Sequence, residues 1–374
     1  MYLTLVGYAV MVGVPVISTA WVGLLGFTEE QVGRVAGADL GGLALGSVMA
    51  SLVMARVNRH WIAYSGLLIA ISANFACLYL TSYETVLWLR VLAGVGSGLI
   101  CGVAVTTLGG SSRPARAYNI MLFAFAFSQA GEMQFLPMLS MNGIYWVFIG
   151  AMLISIPLVH RIPARPGPER PLSQAVVNDP SLQVPRLIPW LCMAAIFFTY
   201  INIGTYWTYI ELASLRGGID AQWIGRVLVW VSFGSIVGCL VATVLSNRFG
   251  LARPLIFTLA VMTLSVGMLG LGLSYPKLLI SLALFNFLWI FIDVYQMGTV
   301  AVLDRRGTFA ALMPGAQGLG QIIGPNVAAS LLAYGYGYSA MFFFCAAAAF
   351  AGMMIYTFMY LRVRRQVPEL ARSA

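Results

Sequence analysis

Four ionisable side chains, Asp39, Arg90, Glu132 and Asp293, lie inside long apolar runs. A charge at the bilayer centre costs roughly 2.5–3.5 kcal/mol on insertion scales, so groups kept there point to pairing, proton exchange or ligand binding. Arg90 and Glu132 are expected at matching depths on helices adjacent in sequence, as an ion pair that separates when Glu132 takes a proton or an anionic solute arrives. The alternative is a static pair that orders the bundle. Asn286, Trp289, Asp293 and Gln296 fall on one face of a helix, a polar and aromatic stripe suited to a wall that hydrogen-bonds and stacks on a ligand. Thr199, Asn202, Tyr206 and Tyr209 form a similar stripe. For both, the competing reading is a polar seam between neighbouring helices. Glycines around Asp39 favour a packing role for it over a cavity role.

The elements that must position these groups are membrane helices. Of 374 residues, 60% are hydrophobic and 9% charged, and mean hydropathy is +0.88. Soluble domains carry about a quarter charged residues. A span needs roughly 20 apolar residues, and the chain has room for twelve. The long apolar runs exclude a barrel, whose strands would alternate over about ten residues. The net charge of +9 comes from arginines in alternate loops, including Arg56, Arg59, Arg248, Arg305 and Arg306. The other loops hold Glu29, Glu30, Glu84 and Asp220 with only Arg216 and Lys277. The positive-inside rule assigns the arginine end and both termini to the cytoplasm, and nucleic acid is not implied. The five cysteines fall within spans without paired spacing, so neither a disulfide framework nor a metal site is indicated. Ser18-Thr19-Ala20 resembles a cleavage site, but no basic region precedes the apolar run, and the first helix is expected to be retained.

The chain repeats itself. Displaced by 192 residues, the stretch from Gln31 to Arg59 pairs Gly33 with Gly225, Arg34 with Arg226, Val35 with Val227, Gly42 with Gly234, Gly46 with Gly238, Ala50 with Ala242 and Arg56 with Arg248. The same offset pairs Met121 with Met313, Ala124 with Ala316 and Gln129 with Gln321. Two parallel copies of a six-helix unit are expected: residues 1–160 as one bundle, 161–186 as a cytoplasmic linker rich in proline and arginine, 187–362 as the second bundle and 363–374 as a tail. Gln129 and Gln321 would then face a central site from opposite halves, or serve as interhelical hydrogen bonds. His60 and His160 fall at cytoplasmic ends, where they are expected to be solvated. Helix 8 is expected as one element over residues 222–246.

These features resemble the bacterial major facilitator superfamily. The loop from Ser51 to His60 keeps Arg56 and Arg59 of the family's loop signature, with Ala55 where the family has an acid, and its repeat keeps Asn247, Arg248 and Gly250. Arg90 with Gly94, Gly96 and Gly98 matches the fourth-helix pattern. The run from Tyr206 to Glu211, Asp304-Arg305 and Gln317 to Pro325 are similar to a group of bacterial efflux permeases. Gly131-Glu132 stands where proton-driven drug exporters carry glycine-proline. The resemblance implies an all-α fold of twelve transmembrane helices in two pseudo-symmetric bundles, in a bacterial inner membrane. It implies a monomeric secondary transporter moving a small organic solute by alternating access, with proton-coupled efflux ahead of uptake of an organic acid or similar nutrient. A non-transporting membrane receptor is the reading from another class. Enzymatic activity and a cofactor are not indicated. Glu132, Asp293, Asp39 and Arg90 are the candidates for proton coupling. Gln129, Asn202, Tyr206, Tyr209, Asn286, Trp289, Gln296, Gln317 and Gln321 are the candidates for the solute cavity, and Arg56, Arg59 and Arg248 for the conformational loops.

Overall fold

In the computed structural model, residues 1–54, 56–111, 114–165, 187–303 and 308–366 are described. Ala55, most of the 161–186 linker, Asp304-Arg305 and the tail from residue 367 lie outside them, as does the side chain of Arg248. The described chain is helical. The first half comprises α1 (Tyr2–Leu25), α2 (Glu29–Val53), α3 (Arg59–Cys77), α4 (Tyr83–Gly109), α5 (Pro114–Phe135) and α6 (Met141–Leu158). The second comprises α7 (Leu187–Arg216), α8 (Ala221–Ser232), α9 (Gly234–Phe249), α10 (Ala252–Gly270), α11 (Tyr275–Leu303), α12 (Thr308–Ala333) and α13 (Gly337–Gln366). Among the described residues, taking α8 and α9 as one span, twelve long helices follow one another along the chain. Ten of these spans are long and apolar enough to cross a membrane by composition alone. The other two, α5 and α12, are the repeat-related pair that carries Gln129, Glu132, Gln317 and Gln321.

The repeat is visible in local geometry. Gly26 ends α1 at φ 71°, and Gly218, 192 positions later, has φ 79°, both in the left-handed region that favours glycine. Two residues on, Thr28 caps α2 by accepting from the Gln31 backbone N–H at 3.2 Å, and Asp220 caps α8 by accepting from that of Trp223 at 2.8 Å. Gln31 returns the bond to Thr28, completing a capping box. Removing the hydroxyl in Thr28→Ala is expected to cost about 1 kcal/mol, read as a lowered melting temperature of the purified protein.

One expected element differs. The helix predicted over 222–246 breaks at Phe233, where the Phe233 N–H donates to Trp230 O and the Ile236 N–H to Phe233 O, three residues back in each case. Ser232 and Ser235 flank the break and donate their hydroxyls to backbone carbonyls of Leu228 and Ser232. Such serine back-bonding beside a glycine is a recognised cause of helix bending.

Small residues set the packing of α2. Side chains at Gly42 and Gly46 would collide with the backbone of α4 at Val91 and Val95, and ones at Gly94 and Gly98 with α2 at Asp39 and Leu43. Without water exclusion to drive association in lipid, such backbone approach supplies the packing energy. The opposite side of α2 meets α12: Gly33 abuts Pro325, and Gly37 and Gly41 abut Ile322 and Asn326. Thus α2 touches its own half through one set of glycines and the other half through a second set.

Candidate functional site

The expected pairing of Arg90 with Glu132 is not what forms. Arg90 Nη2 lies 2.6 Å from Asp39 Oδ2, its Nε donates to the same oxygen at 2.7 Å, and Nη1 donates to Asn74 Oδ1 at 2.8 Å. Tyr145 lies under the guanidinium at 6.0 Å and accepts from Trp21 Nε1 at 3.3 Å. The group joins α1, α2, α3, α4 and α6 inside the first half. Matching depth does not make neighbours of Arg90 and Glu132, because α4 turns this face toward α2 and α3, where glycines bring the backbones close. Asp39 is therefore buried, as its glycines suggest, and its role there is an ion pair.

Glu132 stands apart. Its Oε1 accepts from Ser128 Oγ at 3.2 Å, while Oε2 is shielded from solvent with no hydrogen-bond partner. That oxygen lies over α1, where a methyl group added to Gly13 would come within 2.5 Å of it. Among the described residues, neither Glu132 nor Asp293 is in an ion pair.

Between the halves lies a cavity of about 330 Å³. It is lined by α1, α2, α4 and α5 from one side and by α7, α9, α11 and α12 from the other, so repeat-related helices face one another across it. Gln129, Asn286, Trp289, Asp293, Gln317 and Gln321 all line it. Gln129 Nε2 donates to Asn286 Oδ1 at 2.9 Å, a side-chain bond from one half to the other. Tyr200 donates to Asp293 Oδ1 at 2.6 Å and accepts from Gln317 Nε2 at 2.9 Å. Gln321 Nε2 meets Met11 Sδ at 3.7 Å. Tyr200 is not among the residues that helical spacing singles out, although it lies beside Thr199 on the same helix.

Four expected cavity residues lie elsewhere. Asn202 donates to the Cys345 carbonyl at 2.9 Å, and Gln296 to Thr199 Oγ1 at 3.1 Å. Tyr206 stacks on Phe285 with ring centroids 4.1 Å apart and bonds Ser281 at 3.0 Å. Tyr209 donates to the Glu29 carbonyl at 2.9 Å. Each is held by a bond to a neighbouring helix, the polar-seam alternative, so these stripes are split between seam and cavity.

The acidic end is closed across the halves. Trp207 Nε1 donates to Val12 O at 3.2 Å, Tyr209 reaches Glu29 O, and Arg216 Nε is 2.6 Å from Glu29 Oε1. Toward the arginine end the cavity reaches Ser51 and Thr106, near the ends of α2 and α4. Among the described residues, no ion pair joins the halves there. Arg56 is exposed at this end; Arg59 is buried, with its backbone N–H on Ala164 O at 3.0 Å. His60 is half-buried and bonds Ile162 O at 2.7 Å, whereas His160 is exposed, as expected of a solvated histidine, and bonds Tyr64 OH at 2.9 Å.

Comparison with known proteins agrees with this architecture. The chain is 24% identical over 311 residues to an uncharacterized MFS-type transporter, YceJ, of Bacillus subtilis (strain 168), covering 78% of this chain and 77% of that protein. Among solved structures, the nucleoside transporter NupG superposes with a TM-score of 0.70 at 12% identity, covering 96% of this chain and 97% of that one. The human organic anion transporter MFSD10 (TETRAN) superposes with a TM-score of 0.64 at 14% identity, covering 95% and 96%. At those identities the two structures speak to the fold alone. The model of the Major Facilitator Superfamily matches residues 2–313, most of both repeats, and the chain belongs to that family.

Proposed function

We propose that the protein is a secondary transporter of a small organic solute, working by alternating access in a bacterial inner membrane. The observation that carries this reading is the cavity: it lies between repeat-related helices, is closed at the acidic end, and presents amides, aromatic rings and one carboxylate. Under the charge rule the arginine end is cytoplasmic, so this arrangement is the inward-facing one. The opposite state would require the contacts of Trp207, Tyr209 and Arg216 to open. The organisation into 1–160, linker, 187–362 and tail serves this reading, each six-helix half rocking as a unit.

Coupling to protons is assigned to Glu132, with Asp293 as the second acid. An isolated carboxylate in an apolar interior is expensive to keep charged, and Glu132 has one oxygen with no partner. It lies one helical turn beyond Gln129, close enough in sequence for a change at the cavity to reach it. The test is solute-driven proton flux in proteoliposomes under an imposed pH gradient. Glu132→Gln is expected to abolish the coupled proton flux. Solute movement with unchanged proton flux in that variant would reject Glu132 as the coupling site. Export is the proposed direction, and reversing the gradient distinguishes it from uptake. No movement of any solute would favour a receptor.

A further inference from the structure

The charges around the cavity say what kind of solute it takes. Among the described lining residues there is one carboxylate, Asp293, and no lysine, arginine or histidine. Arg90, the buried cation of the first half, is spent on Asp39 and lies outside the cavity. A bound organic anion would meet the like charge of Asp293 with no basic group to offset it, which is exclusion by repulsion. A monovalent cation would complete the site.

The surroundings suit the rest of such a molecule. Asp293 is only partly covered and is oriented by the Gln317–Tyr200 chain. Trp289 is one turn away on the same helix, while Tyr8 and Phe125, packed edge to face at 5.5 Å, lie on helices of the other half. Aromatic faces attract ammonium groups and stack on rings. Met11, Met121 and Met297 add adaptable, polarisable surface. At about 330 Å³ the space is at the small end for ligand sites.

Resting on the solute-binding reading above, we propose that the substrate is a small aromatic amine bound as its monovalent cation, its ammonium on Asp293 and its ring against Trp289. Asp293 is thereby the residue that determines charge specificity.

The test is equilibrium binding to the purified full-length protein of three probes that share one ring and differ in charge: tryptamine, tryptophol and indole-3-acetate. Tryptamine is expected to bind at least about tenfold more tightly than the other two, the scale of a charged hydrogen bond. Asp293→Asn is expected to remove that preference and Asp293→Glu to keep most of it. Indole-3-acetate binding as tightly as tryptamine, tryptamine binding unchanged in Asp293→Asn, or no binding of tryptamine would each overturn the proposal. A second readout needs no ligand. With the native cysteines replaced, the Ser47→Cys variant is labelled with cationic and anionic methanethiosulfonates; faster cationic labelling that depends on Asp293 supports the assignment, and equal rates overturn it. Both measurements are independent of movement across the bilayer. Solute flux in proteoliposomes without tryptamine binding would leave the transport reading standing and remove this one.

Discussion

Replacing Arg90 by alanine is expected to destabilise the folded protein by about 3–5 kcal/mol, because Asp39 is then left as a buried charge without its partner. Asn74 loses its donor in the same step. Yet an ion pair is not the one way this chain fills such a place, and its second half supplies the comparison. At the repeat offset, Asp39, Asn74 and Arg90 correspond to Val231, Val266 and Leu282, all buried. Thus the second half packs hydrocarbon where the first half packs an ion pair. The triple variant Asp39→Val, Asn74→Val, Arg90→Leu is expected to recover most of the loss seen in Arg90→Ala. Thermal unfolding of the two variants and the parent in detergent checks this, and a triple variant as unstable as the single one would refute it. Recovery would also separate stability from function: any transport then lost is owed to the ion pair itself.

Introducing a valine at Gly37 is expected to open the acidic end. A side chain there meets Asn326 and the Ile322 carbonyl of α12, atoms of the opposite half, and leaves the α2–α4 contact alone. Overpacking of this kind costs about 1–3 kcal/mol. Applied to one state of a two-state equilibrium, that is a shift of roughly 5- to 150-fold. Spin labels at positions 84 and 277, at the acidic ends of α4 and α11, would report it. The distance distribution is expected to move to longer separations in Gly37→Val, and an unchanged distribution would show that these glycines do not set the equilibrium. The same substitution at Gly42 is predicted to act differently, by loosening the first half internally, since its neighbours are Val91, Gly94 and Val95.

Periodicity and charge make the spans and the twofold repeat readable from the chain. The offset of 192 even predicts where helices start: α2 begins at Glu29 and α8 at Ala221, α4 at Tyr83 and α11 at Tyr275. The matched glycines at 26 and 218 are equally available as a signal. What cannot be read is azimuth, the direction a side chain takes around its helix. Depth can be counted along the sequence, but facing depends on which neighbour a helix meets, and glycines decide that only once the partner is known. Hence depth alone assigns Arg90 to Glu132, when it belongs to Asp39. The same limit explains why Asn286, Trp289 and Asp293 reach the cavity while Gln296, on the same stripe, turns to Thr199. Polar residues on a membrane helix need a partner, and sequence alone does not say whether solute or neighbour provides it.

The bond from Gln129 to Asn286 ties the two halves together through the cavity wall itself. Both side chains face the space a solute would occupy, so a solute that hydrogen-bonds either amide takes it from the other. Cargo and closure would then compete for the same two groups, each solute contact made there being a contact between the halves given up.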